Sequence, residues 1–297
     1  MTHSYFSTDS TLEYRYSVIT AINSGDTFPE SISRRAASYS NEINLFAKLI
    51  AESDSSAELL EKIRKPRAYH KDLRMSLLKL FRRCVSPVCD TEATKKVTTP
   101  TSIFVDNFEH TFKEITVLKE QFADLSEFHL YALSSLLGEY DSRGELGYAL
   151  TGMFFDWVEE FYDGDFTIEG PRGAGKDIQL SQVFPAFEGD YPCDFVIKKA
   201  DDESVLAVGF ARYDSTRGGA QSDDRTGGND NKVTKAQEFM CESGEEFKII
   251  FLSEGPGLVH KDTWAEACTL DGKLDGKVRV TTLKLAEERL NRDWLES

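Results

Sequence analysis

No apolar run in this chain approaches the roughly 20 residues that a helix needs to cross a bilayer. The opening stretch MTHSYFSTDSTLEYRYS also lacks the basic start and apolar core of a secretory signal. Both absences predict a soluble, cytoplasmic protein. Cysteine is sparse: Cys84, Cys89, Cys193, Cys241 and Cys268 form no CxxC pair, and the five histidines fall at no ligand spacing. That pattern argues against a structural zinc site and predicts reduced core thiols. Low-complexity tracts and internal repeats are missing too. With 40% hydrophobic and 29% charged residues the composition is that of a globular protein, and 297 residues suffice for one large domain or two modest ones.

Positive charge is what the chain lacks most. A formal net charge of -16 excludes broad, nonspecific attraction to polyanions, which clustered Lys and Arg normally drive. The exception is local. Lys62, Arg64, Lys65, Arg67, Lys71, Arg74, Lys79, Arg82 and Arg83 share one stretch with a single acid, Asp72. It reads either as a solvated helical face or as a strip for phosphate contacts.

Residues 11 to about 160 carry helical periodicity. Ile43, Leu45, Phe46, Leu49 and Ile50 mark one apolar face, and Leu73, Met75, Leu77, Leu78, Leu80 and Phe81 mark another. The turn-rich stretch 86–102 separates two helical groups. Helices are expected over 105–120, 126–137 and 143–162, the last with a stripe through Leu146, Leu150, Met153 or Phe154, Trp157 or Val158, and Phe161. From Phe166 the period changes to short apolar or alternating runs bounded by Gly, Pro and Asp: FTIE, DIQL, DFVI, SVLAVGFARY, FKIIFLSE and KVRVTTL. Helices are expected between and after them at 232–242, 260–268 and 283–295. The fold class is therefore α/β (α+β), with a helical region at 1–162 and a mixed β-sheet core flanked by helices at 163–297.

Gly170 to Lys176 has the GxxxxGK spacing of a phosphate-binding loop, but Asp177 stands where a magnesium-holding Ser or Thr belongs. The next residues, IQLSQVFPAF, alternate and contain Pro185, so no long helix is expected to present its N-terminus there. A nucleotide-binding NTPase is thus the minor alternative. The glycines are better explained by a tight turn that approaches a ligand closely and gathers Glu169, Lys176 and Asp177.

Asp194 sits where a Pro-containing turn opens into a strand, and the next strand, 204–213, comes after the turn KKADDE. Phe210, Arg212 and Asp214 share one face of that strand, with Gly209, Ala211 and Tyr213 on the other. Carboxylates at strand mouths beside a cation suit metal-assisted phosphodiester hydrolysis, in which the water must be activated and charge on the phosphate relieved. Asp194 is the first candidate metal ligand, and Arg212 the cation. Asp214, Asp177, Glu169 and Glu160 are candidates for a second carboxylate. A second register takes Asp177 as the leading acid and Asp194 as the next, with Lys198 or Lys199 nearby.

Pro192-Cys-Asp194 before a strand, a hairpin, and a second strand at the right distance resemble the PD-(D/E)xK nuclease superfamily, in particular type II restriction endonucleases. The resemblance covers roughly residues 169–229. It implies Mg2+-dependent cleavage of double-stranded DNA at a short defined sequence, by a homodimer; the helical region 1–162 is read as DNA-contacting or dimerising. The family's acid-x-Lys on the second strand is replaced here by Gly209-Phe-Ala211 or Phe210-Ala-Arg212. A noncatalytic DNA-binding protein is the remaining alternative.

The polar, glycine-rich segment 214–232 reads as a recognition loop. Arg217, Gln221, Arg225 and Asn229 carry the side chains that match guanine and adenine edges, and Asp223 and Asp224 suit cytosine or the neighbouring arginines. Lys232 and Lys235 are expected on phosphates.

Overall fold

The computed structural model describes residues 6–23, 27–138, 144–216 and 221–297, with the backbone alone for 221–227. The chain divides into two compact units, residues 25–142 and residues 1–24 with 143–297. The boundary expected after residue 162 thus falls earlier, because the Glu145–Phe161 helix packs on the sheet.

Residues 25–142 are helical. The Glu30–Ala51 helix buries Ile43, Phe46, Leu49 and Ile50 along one stripe. Around this stripe gather Leu59, Leu60 and Ile63 of Ser56–Arg64, Leu77, Leu78, Leu80 and Phe81 of Lys71–Cys84, and Leu118 and Leu137 of the later helices. The single helix expected over 105–120 is broken into Thr101–Phe108 and Ile115–Phe122. Its backbone is claimed elsewhere: Lys113 N donates to Val85 O at 3.0 Å, and Lys113 O accepts from the Ser56 hydroxyl at 2.5 Å. Part of the basic stretch is structural. Arg64 is 2% exposed, donates to the Thr94, Lys96 and Thr99 carbonyls and the Thr101 hydroxyl, and covers the Phe104 ring.

The other unit is built on a five-stranded mixed sheet of order β1-β4-β5-β6-β7, with β1 Phe166–Glu169, β4 Phe195–Lys199, β5 Val205–Tyr213, β6 Lys248–Glu254 and β7 Val278–Thr281. A separate two-stranded ladder joins β2 Ile178–Gln179 to β3 Pro192–Cys193. β1, β4 and β5 run antiparallel, and β5, β6 and β7 parallel, so helices cross between the parallel strands. Strand alternation divides the core. Phe195, Ile197, Ala207, Ile250 and Leu252 meet Leu150, Phe154, Phe155 and Val158 of the Glu145–Phe161 helix on one face. Val196, Val208, Phe210, Ile249 and Phe251 meet the Gln221–Ser243 and Lys261–Leu270 helices on the other. The stripe on Glu145–Phe161 therefore runs through Phe154 and Val158, and Met153 and Phe161 stay exposed.

Residues 6–23 join this unit. The Trp264 indole donates to Ser7 O at 2.8 Å, and the fully buried Glu254 carboxylate accepts from the backbone N–H of Thr20 and of Leu283, each at 2.9 Å.

The expected recognition loop is largely a helix. Gln221–Ser243 begins where the sequence reads as loop, despite Gly227 and Gly228, because Val233, Ala236 and Phe239 bury one apolar stripe against the sheet. The closing helix expected over 283–295 is two short ones, Ala286–Arg289 and Arg292–Glu296, the second capped by the Asn291 side chain accepting from Trp294 N. Among the described residues no helix is long and apolar enough to cross a membrane.

Gly209 faces Phe195 across the β4–β5 ladder, and a Cβ there would meet the Phe195 ring at 2.0 Å. Gly209→Ala is therefore expected to destabilise this unit by about 3 kcal/mol, the upper end of ordinary overpacking, with part of the loss restored by adding Phe195→Leu. Chemical denaturation of the parent, single and double variants measures it, and equal midpoints for Gly209→Ala and parent would contradict the packing described.

Candidate active site

The β2–β3 ladder pairs Gln179 with Pro192 and Ile178 with Cys193. Asp177 and Asp194 are the residues next beyond that ladder, and the Asp177 charge acts on Asp194. Asp194 then leads directly into β4. Its N–H donates to Gly209 O at 2.9 Å, and its Oδ2 accepts from Ala211 N at 2.7 Å, so both ends of the residue are held by β5. Gly170 closes the other side, where φ is 151° and a Cβ would lie 2.3 Å from Asp194 O.

Lys232 comes to the same place from the Gln221–Ser243 helix. Its Nζ stands 3.6 Å from the centre of the Phe210 ring. Burial, more than any other influence, pushes the Asp194 carboxyl above the usual carboxylate range. The Ala211 N–H and the Lys232 charge oppose this, and Asp177 adds to it. Lys232 is the mirror case, pulled below the usual lysine range by burial while Asp194, Cys193 and Asp177 work to keep it charged. The adjoining Cys193 thiol is pushed up to about 12, chiefly by burial. It presents a neutral thiol, which leaves a hard oxygen donor set.

Two carboxylates and no thiolate fit magnesium, which is commonly held by one or two carboxylates and completes its shell with water and phosphate oxygens. Among the described residues no group of three or more His, Cys, Asp or Glu gathers around a common point.

The other candidates have partners or settings of their own. Arg212 Nε donates to Asp214 Oδ1 at 2.8 Å, and its guanidinium lies 3.6 Å from Glu266 Oε1. Asp214 is 5% exposed and is engaged by Arg212. Glu169 pairs with Lys198 at 2.7 Å, and Lys199 with Glu296 at 3.4 Å, so neither lysine completes the second register. Glu160 is exposed on the Glu145–Phe161 helix, and Lys176 is exposed in the turn. That turn opens into β2 and a four-residue helix, Leu180–Val183, which leaves the GxxxxGK spacing without the long helix a phosphate loop needs.

Of the expected base readers, Arg217 lies outside the described residues. Gln221 and Arg225 lie on the helix, with their side chains outside the description. Asn229 donates through Nδ2 to Glu266 Oε1 at 3.2 Å. Lys232, expected on phosphates, belongs to the Asp194 site. The polar run QSDDRTGGNDN hid it by masking the helix; the spacing of Val233, Ala236 and Phe239 just after that run is the signal that places Lys232 beside a buried stripe.

No known protein family, curated protein or solved structure matches this chain. The site is therefore read from its own geometry. Removing the Lys232 charge by Lys232→Met is expected to raise the Asp194 pKa further, and Asp177→Asn to lower it, as the signs of the two neighbours require. Carboxyl 13C NMR titration reads both, and shifts of the opposite sign would separate these three residues.

Proposed function

We propose that this protein is a Mg2+-dependent, site-specific endonuclease of the type II restriction class, which hydrolyses phosphodiester bonds of double-stranded DNA. The observation that carries the reading is Asp194 at the mouth of β4, one oxygen held by the Ala211 N–H, with Lys232 over the neighbouring Phe210 ring and Asp177 just beyond the β2–β3 ladder. Pro192-Cys-Asp194, the β4–β5 hairpin and a mixed sheet flanked by helices on both faces support membership of the PD-(D/E)xK superfamily. The strand lysine of that pattern has its counterpart in Lys232, delivered from the crossover helix between β5 and β6.

Asp177 and Asp194 would hold the magnesium, which when bound supplies an activated water and charge relief at the scissile phosphate. The Ala211 N–H fixes one oxygen of Asp194 and leaves Oδ1 for this task. Lys232 is near enough to feel both carboxylates, and as a cation it orients the attacking water and balances charge that develops on the phosphate. Half-burial of Asp194 and Lys232 strengthens their interaction relative to open water. The first turns of the Gln221–Ser243 helix, with Gln221 and Arg225, are placed by the same reading in contact with base edges. A homodimer acting on a two-fold DNA site accompanies it.

Mapped plasmid DNA is expected to give discrete fragments with Mg2+ and none with chelator, and Asp194→Ala to abolish cutting while leaving the denaturation midpoint near the parent's. A smear would remove sequence specificity, and an Asp194→Ala protein that still cuts would remove the site. Because the chain is so acidic overall, DNA binding must rest on local contacts and is expected to fall steeply with salt. Affinity indifferent to ionic strength would contradict that.

A further inference from the structure

Glu266 is an almost fully buried acid, 9% exposed, on the Lys261–Leu270 helix, and the proposed cleavage chemistry gives it no task. A carboxylate so desolvated is retained only with partners, and its two come from the two elements that seat Lys232. Asn229 Nδ2 donates to Glu266 Oε1 at 3.2 Å, and Asn229 stands one helical turn before Lys232. The Arg212 guanidinium, 3.6 Å from the same oxygen, stands two residues beyond Phe210 on the same strand face. Phe210 is the ring on which the Lys232 ammonium rests. Arg212 is in turn fixed by Asp214 at 2.8 Å.

We infer that Glu266 is a positioning residue for Lys232, holding the crossover helix through Asn229 and strand β5 through Arg212 so that the ammonium stays over Phe210 beside Asp194. Neighbouring contacts bear on the same helix without reaching the strand: Asp230 pairs with Lys273 at 2.6 Å, and Lys235 Nζ donates to Asp190 O at 3.3 Å. Glu266 alone, among the described contacts of Asn229 to Lys235, ties helix and strand through one oxygen. The catalytic meaning of this seat rests on the proposed nuclease reading, whereas the positioning itself does not.

The test combines a spectroscopic readout with kinetics. In protein labelled with 13C at the lysine ε-carbon, the Lys232 signal, assigned by its loss in Lys232→Arg, is expected at high field from the ring current of Phe210. Glu266→Ala should return it toward the ordinary lysine position. Glu266→Gln, which keeps an oxygen for Asn229, should hold it near the parent's. On a DNA duplex with Mg2+, Glu266→Ala is expected to lower kcat by about tenfold to a hundredfold, the scale of a small misplacement, with KM changed little. The same substitution made on Lys232→Ala should lower kcat no further. A Lys232 signal unmoved in Glu266→Ala overturns the inference, as does a kcat loss that multiplies fully in the Lys232→Ala background. If the parent cuts no DNA while the signal moves as expected, the nuclease reading fails and the positioning role stands.

Discussion

The register of the β4–β5 hairpin is what this unit's core and site both depend on. Asp194 sits at the point where the β2–β3 ladder gives way to the main sheet, held at its N–H by Gly209 and at Oδ2 by Ala211. Those two bonds require β4 and β5 to be in register, and register in turn requires a glycine at 209 so that the Phe195 ring can lie across the strand. Phe195 then joins the sheet to the Glu145–Phe161 helix through Phe154, with ring centres 5.0 Å apart. The core and the site are thus consequences of the same hairpin.

A buried acid beside another acid is unfavourable unless a cation answers it. Here the answer is Lys232, itself half-buried and stabilised by the Phe210 face and the two carboxylates. Asp194 and Lys232 stand half-buried, where each acts on the other more strongly than in water, and Asp177 adds its charge from the exposed side. A second polar cluster, Arg212 with Asp214 and Glu266, lies on the same face of the sheet and reaches the crossover helix through Asn229. The contrast matters chemically. The first set leaves an oxygen of Asp194 and the exposed Asp177 for a ligand, whereas the second ties β5 to the Lys261–Leu270 and Gln221–Ser243 helices.

The sheet was legible in the sequence because its strands alternate or run apolar between Gly, Pro and Asp, and all six expected runs contain strands. The class of fold emerged from that change of period at Phe166. The helices were less legible at their ends. Residues 105–120 carry a continuous helical pattern, yet the Val85 carbonyl and Ser56 hydroxyl draw Lys113 out of it, a tertiary effect that periodicity does not contain. Residues 221–231 look like a loop because their own propensity is poor, and they are helical because Val233, Ala236 and Phe239 anchor the same helix to the sheet. At the site, the positions of Asp177 and Asp194 were within reach, since both border short strands. The roles of Arg212 and Asp214 were not, because strand alternation shows that they share a face but not that they bond each other. Lys232 was less legible, because the polar run before it masks the helix whose apolar stripe carries it to the Phe210 ring.

The central claim is that Asp177 and Asp194 together form a divalent-cation site. Titration of Mn2+ as a stand-in for magnesium, monitored by loss of the free-ion electron paramagnetic resonance signal, tests it most directly. The account predicts that the parent takes up Mn2+, that Mg2+ displaces it, and that the folded Asp177→Asn, Asp194→Asn double variant takes up none at this site. A double variant that binds Mn2+ as the parent does would contradict it.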